Sequence, residues 1–172
     1  MNLTHKAKAL LMALVMTTAL GAGAPAAEAY TYQSDLLGVT MDIAEAPRQV
    51  KASGNAEQLL WESKALVVQT MPQTMPKAEM DAYLAKTDTE IKQQLSAWQK
   101  DYGIRLLEAY WVKDGNYPIQ FSRAYNKETY MFTAVIFTDD TVCTVRQFSP
   151  NKMSDIERDD FIAAVKTLTF KK

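Results

Sequence analysis

The sequence predicts an α+β fold: a mostly antiparallel β-sheet of about six strands, with helices packed on both faces. Three observations carry this. Ile104 to Phe148 divides into four runs rich in β-branched and aromatic residues, separated by three short turn signals. Both faces of those runs are apolar, so a covering layer is required on each side. Two other stretches switch to the i, i+3, i+4 spacing of amphipathic helices.

In chain order, residues 1–29 have the form of a secretory signal peptide. Lys6 and Lys8 precede an apolar run from Ala9 to Leu20, and Ala27-Glu28-Ala29 offers an A-x-A cleavage site. That run is shorter than the roughly 20 residues a membrane span requires. The expected product is an exported chain (periplasm, cell envelope or extracellular) starting at Tyr30, with no stable membrane span and one α+β domain over residues 30–172.

Tyr30–Gln33 and Val39–Ile43 alternate as two short strands expected to join the sheet. Ala44 to Glu57 is polar and turn-rich, the main loop of this half, with only Gln49–Lys51 extended. Gln58–Glu62 and Ala65–Thr70 form a hairpin about Ser63-Lys64. From Lys77 to Tyr102 a stripe at steps of three and four runs through Met80, Leu84, Thr87, Ile91, Leu95, Trp98 and Tyr102, so Leu95 and Trp98 are expected inside. It forms one helix, or two nearly collinear ones divided at Thr87, where Thr87-Asp88-Thr89-Glu90 is a capping-box sequence. Pro76 suits its first position and Gly103 the residue past its end.

The four strands of the meander follow: Ile104–Lys113, Tyr117–Tyr125, Thr129–Thr138 and Thr141–Phe148. Asp114-Gly115-Asn116, Asn126-Lys127-Glu128 and Asp139-Asp140 turn the chain between them. Ser154-Asp155-Ile156-Glu157 is a second capping box. It opens a closing helix with Phe161, Ala164, Val165 and Leu168 on its apolar side.

The opening Tyr30-Thr31-Tyr32-Gln33-Ser34-Asp35-Leu36-Leu37-Gly38-Val39-Thr40-Met41, with Pro47 after it, resembles the first strands of PsbP-like proteins. The ending from Asp160 to Phe170 resembles the close of the same family. The resemblance covers the order of elements over most of the exported chain. It implies an α/β/α sandwich in a family of accessory and binding proteins, and it supplies no catalytic motif to place on residues here.

Composition narrows the chemistry independently. The net charge is −1 and no basic run exceeds Lys171-Lys172, so nucleic acid is not an expected partner. Cys143, the one cysteine, lies between Val142 and Thr144 in a strand and is expected to be an inert thiol without a disulfide partner. The one histidine, His5, belongs to the leader. The exported chain therefore lacks the parts of histidine triads and histidine-ligated zinc. No phosphate loop or dinucleotide fingerprint is present, and no cofactor is expected.

Three sets of side chains remain. Asp139-Asp140, Asp155 with Glu157, and Asp159-Asp160 supply carboxylates for hydrolysis or calcium, although turn and helix-start roles account for them. Met71, Met75 and Met80 offer thioethers suited to Cu(I), against core filling as the plainer role. Trp111, Tyr117 and Tyr125 offer a ligand or partner surface, against core packing as the plainer role for most of the aromatics. The function expected is binding without catalysis, of a protein partner or a small apolar ligand; the alternatives are a carboxylate-dependent envelope hydrolase and a weak Cu(I)-binding protein using Met71, Met75 and Met80.

Overall fold

The structure, a computed structural model, describes residues 29–171. The proposed leader lies, except for Ala29, outside the described residues. The strands are β1 (Tyr30–Ser34), β2 (Val39–Ile43), β3 (Gln49–Ser53), β4 (Ala56–Leu60), β5 (Ala65–Pro72), β6 (Arg105–Val112), β7 (Ile119–Tyr125), β8 (Tyr130–Phe137), β9 (Thr141–Ser149) and β10 (Thr169–Phe170). The helices are α1 (Lys77–Leu84), α2 (Asp88–Lys100) and α3 (Asp155–Lys166).

The meander forms as expected, all antiparallel, and β5 pairs with β9 to extend it. Its second strand starts at Ile119 rather than Tyr117, because Pro118 has no N–H for the ladder. The expected sheet of about six strands becomes one of seven, in the order β3-β4-β5-β9-β8-β7-β6. The extra strand comes from the segment expected to be loop. Gly54, at φ 59°, turns the chain, and Ser53 then faces Ala56. All five residues of β3 are exposed, and its only apolar side chains are the small Val50 and Ala52, so Gln49–Lys51 alone announces it.

The N-terminal strands do not join that sheet. β2 pairs with β1 on one side and with the C-terminal β10 on the other, giving a separate three-stranded sheet. This sheet and α3 together cover one face of the seven-stranded sheet. Val39, Met41 and Ile43 from β2 meet Phe121, Phe132, Ile136 and Val145 from the large sheet and Phe161, Val165 and Leu168 from α3 and its end. The Tyr32 hydroxyl donates to Glu57 Oε2 at 2.6 Å, a polar tie from β1 to β4.

The opposite face carries α1 and α2. The long helix is broken at the capping box: Thr87 Oγ1 accepts from the Glu90 N–H, and Glu90 Oε2 accepts from the Thr87 N–H at 2.7 Å. α2 ends where Gly103 takes φ 66°, with Gly103 N–H donating to Lys100 O and Ile104 N–H to Gln99 O, the Schellman pattern. Met80, Ile91, Ala109, Trp111 and Phe137 form the core of this layer. The placement of Trp98 inside needs correction. Leu95 is half-buried and packs against this core, while Trp98 is 56% exposed. At roughly 100° per residue, Asp88, Ile91, Leu95 and Gln99 share an arc of about 80°, and Trp98 falls just outside it. That arc faces the sheet: Asp88 Oδ1 accepts from the Trp111 backbone N–H at 2.9 Å.

Candidate functional site

The two faces of the seven-stranded sheet are finished differently. On the α3 side the inward residues of β5 to β9 are almost all buried: Leu66, Val68, Cys143, Val145, Phe132, Ala134, Ile136, Ile119 and Phe121. On the other side α2 lies along the β6 edge. The residues farther across, Val67, Arg146, Phe148, Met131, Thr133 and Val135, are only half-buried. Between α2 and this partly covered surface is a cleft of about 610 Å³.

Leu95 and Trp98 of α2, with Ile104 just past its end, form one wall of the cleft, and Met131, Val135 and Phe148 form much of its floor. Its size is within the roughly 300–1,000 Å³ typical of small-molecule sites, and its makeup, apolar with few polar groups, is also typical. Gln99 is 3% exposed and lines the cleft, and its Oε1 has no hydrogen-bond partner among the described residues. Gln120, also on the lining, is held by Tyr83: its Nε2 donates to the phenol oxygen at 2.9 Å. Burial raises the Tyr83 phenol above its ordinary range, keeping it neutral.

Of the aromatic residues expected at the surface, Trp111 is the correction: it is 8% exposed. Its indole N–H donates to Lys86 O at 2.9 Å, and Tyr83 packs edge-on against it, so it anchors the helical layer. Trp111 and Tyr117 also line a smaller cleft of about 360 Å³. Tyr117 is half-buried against Phe170, ring centroids 5.2 Å apart. Tyr125 sits at the far end of β7, stacked on Tyr130 at 4.9 Å. The structure thus unites Trp111 with Tyr117 and leaves Tyr125 apart.

The carboxylates have structural work. Asp155 Oδ1 lies 3.0 Å from Arg123 Nη1 and 3.3 Å from Arg158 Nη1, and Asp159 pairs with Arg158 at 2.9 Å. Glu157 closes the α3 capping box. Hydrogen bonds from the Ser154 N–H and then its hydroxyl hold the Glu157 carboxyl below its ordinary range. Asp139, Asp140 and Asp160 are exposed; Asp139 stands on a third cleft of about 480 Å³ with Asp81. Met75 and Met80 line that same cleft, and Met71 is not part of its lining. The Met80 sulfur already accepts from Gln73 Nε2 at 3.7 Å.

Sequence reasoning missed the large cleft. Its floor comes from residues distant in sequence that become neighbours only through strand register. The one local signal is Trp98, whose place on the apolar stripe predicts burial, whereas it flanks an opening.

A seven-stranded antiparallel sheet with helices on both faces and a small sheet closing one side defines an α/β/α sandwich of the PsbP-like fold. Known structures agree. The chain is similar to cyanobacterial PsbP from Synechocystis sp. PCC 6803, solved in solution, with a TM-score of 0.57 at 14% identity, over 87% of this chain and 95% of that one. It is also similar to a crystal structure from Bacteroides thetaiotaomicron VPI-5482, with a TM-score of 0.52 at 13% identity, over 83% of this chain and 48% of that one. No family model and no curated protein matches the sequence.

Proposed function

We propose that this protein is an exported accessory protein, with a domain beginning at Tyr30, that works by binding and not by catalysis. Its site is the cleft between α2 and the half-covered sheet face, which takes a small apolar ligand or an apolar segment of a protein partner. The observation that carries this reading is the unequal finish of the two sheet faces. One is sealed by a continuous core; the other leaves Met131, Val135 and Phe148 half-buried beside an exposed Trp98. Apolar surface left concave and accessible is what a binding site requires. The PsbP-like fold adds support, since the resemblance implies accessory and binding proteins. Trp111 with Tyr117 offers a second, smaller surface.

Titration with the neutral apolar dye N-phenyl-1-naphthylamine tests the proposal. Saturable enhancement at one site is expected, lost in a Met131→Lys variant whose circular dichroism matches the parent. Saturable binding unchanged by Met131→Lys would move the site elsewhere, and absence of binding would remove the apolar-ligand reading.

A further inference from the structure

Resting on that cleft reading, we infer that its ligand is an amphipathic monoanion, a long-chain carboxylate, whose head is held by Arg146. The argument begins with register. Arg146 on β9 faces Thr133 on β8, and Thr133 faces Ser122 on β7, so the three side chains form one cross-strand row on the cleft side of the sheet. All three line the cleft. Among the described residues, none of the three side chains takes part in a hydrogen bond or ion pair, although Arg146 is half-buried and Ser122 is 5% exposed.

A guanidinium set into an apolar cleft gains from a counter-charge, and the residues around it supply none. Val67 faces Arg146 from β5, and Thr144 and Phe148 flank it along β9. The neighbouring row toward the end of the sheet is Phe148, Met131 and Ala124, all apolar. Leu95 stands above on α2. The cleft therefore offers one fixed cation with two hydroxyls beside it, and an apolar run starting at the next row. A carboxylate matches the planar fork of arginine in two parallel hydrogen bonds, and neighbouring hydroxyls supply further donors. A phosphate monoester carries about −1.5 to −2 charges, more than a single cation balances. An alkyl chain then occupies the side lined by Met131 and Phe148.

Displacement of N-phenyl-1-naphthylamine separates the levels of this claim. Monomeric dodecanoate, dodecan-1-ol and dodecyl phosphate are compared on the wild type, on Arg146→Gln and on Thr133→Val, with folding checked by circular dichroism. Dodecanoate is expected to bind about tenfold or more tightly than dodecan-1-ol, the worth of a hydrogen bond to a charged group. Arg146→Gln should erase that advantage, read as the ratio of acid to alcohol affinity in the same variant, and Thr133→Val should reduce the ratio by a smaller factor. Equal affinity for acid and alcohol in the wild type, with the dye still bound, would overturn the anionic head and leave the cleft reading intact. Preference for dodecyl phosphate would overturn the carboxylate. Failure of the dye and all three chains to bind would overturn both readings together.

Discussion

Cys143 shows how a single residue can be read from its place in a strand. Its alternation partner Val145 is fully buried, and so is Cys143 itself, at 0% exposure. Burial in an apolar layer disfavours the thiolate and pushes the thiol up to about 12. Native protein should leave this thiol unmodified by iodoacetamide at pH 8, and denaturant should expose one equivalent; intact mass reads both. Native labelling at a rate close to that of the unfolded chain would contradict the burial. Arg146 teaches the converse. It is one strand residue among many in the sequence, and only pairing with Thr133 and, through it, Ser122 makes the polar row visible. No local pattern encodes a row built across three strands.

At the level of elements, legibility followed burial. The meander strands were visible because both faces bury side chains, and the division at Thr87 because its capping box is written in four consecutive residues. β3 shows in the sequence only as the extended Gln49–Lys51 because it buries nothing, and β10 is invisible because its pairing with Thr40 and Val39 spans most of the chain. The stripe of the long helix misled by continuing through Trp98, where the true contact arc turns toward Gln99. Ile91→Ala, at 0% exposure, should therefore cost about 2–5 kcal/mol. Trp98→Ala should stay near 0.5 kcal/mol, measured for both by urea denaturation. Thr87→Ala should cost about 0.5–2 kcal/mol through loss of the cap on α2. The caps also set an acid limit. Glu157 and Glu90 are both held below their ordinary value of 4.5, through the N–H and then the hydroxyl of Ser154 and Thr87. A carboxyl depressed on folding contributes stability that is present above 4.5 and lost as pH falls through the folded value. The urea midpoint should thus decline from about pH 5 downward, starting roughly half a unit above the ordinary carboxyl value, and decline less steeply in Glu157→Gln.

For the whole molecule, the two layers on opposite sides of the large sheet have separate cores but share their strands. β8 sends Phe132, Ala134 and Ile136 to the α3 side and Val135 and Phe137 to the α1–α2 side; β6 divides in the same way, with Val112 on one side and Ala109 and Trp111 on the other. Neither core can be lost without releasing strands that build the other, so the layers should unfold as one unit. Phe161→Ala tests this. Phe161 is 3% exposed and packs on Phe121 and Phe132, with ring centroids 6.2 and 5.6 Å away, wholly on the α3 side. Its truncation should cost about 3–5 kcal/mol. Of the three tryptophans, Trp98 and Trp111 lie on the α1–α2 side while Trp61 packs against the α3-side core, so the comparison is made in a Trp61→Phe background, where fluorescence follows the α1–α2 side. Fluorescence and far-ultraviolet circular dichroism should nevertheless shift together to lower urea in Phe161→Ala, with coincident transitions. If dichroism moved and fluorescence stayed behind, the shared strands would not be coupling the layers. The half-covered face would then be an independently stable unit, and the sealed face would not be the rigid support for its cleft that this architecture makes it.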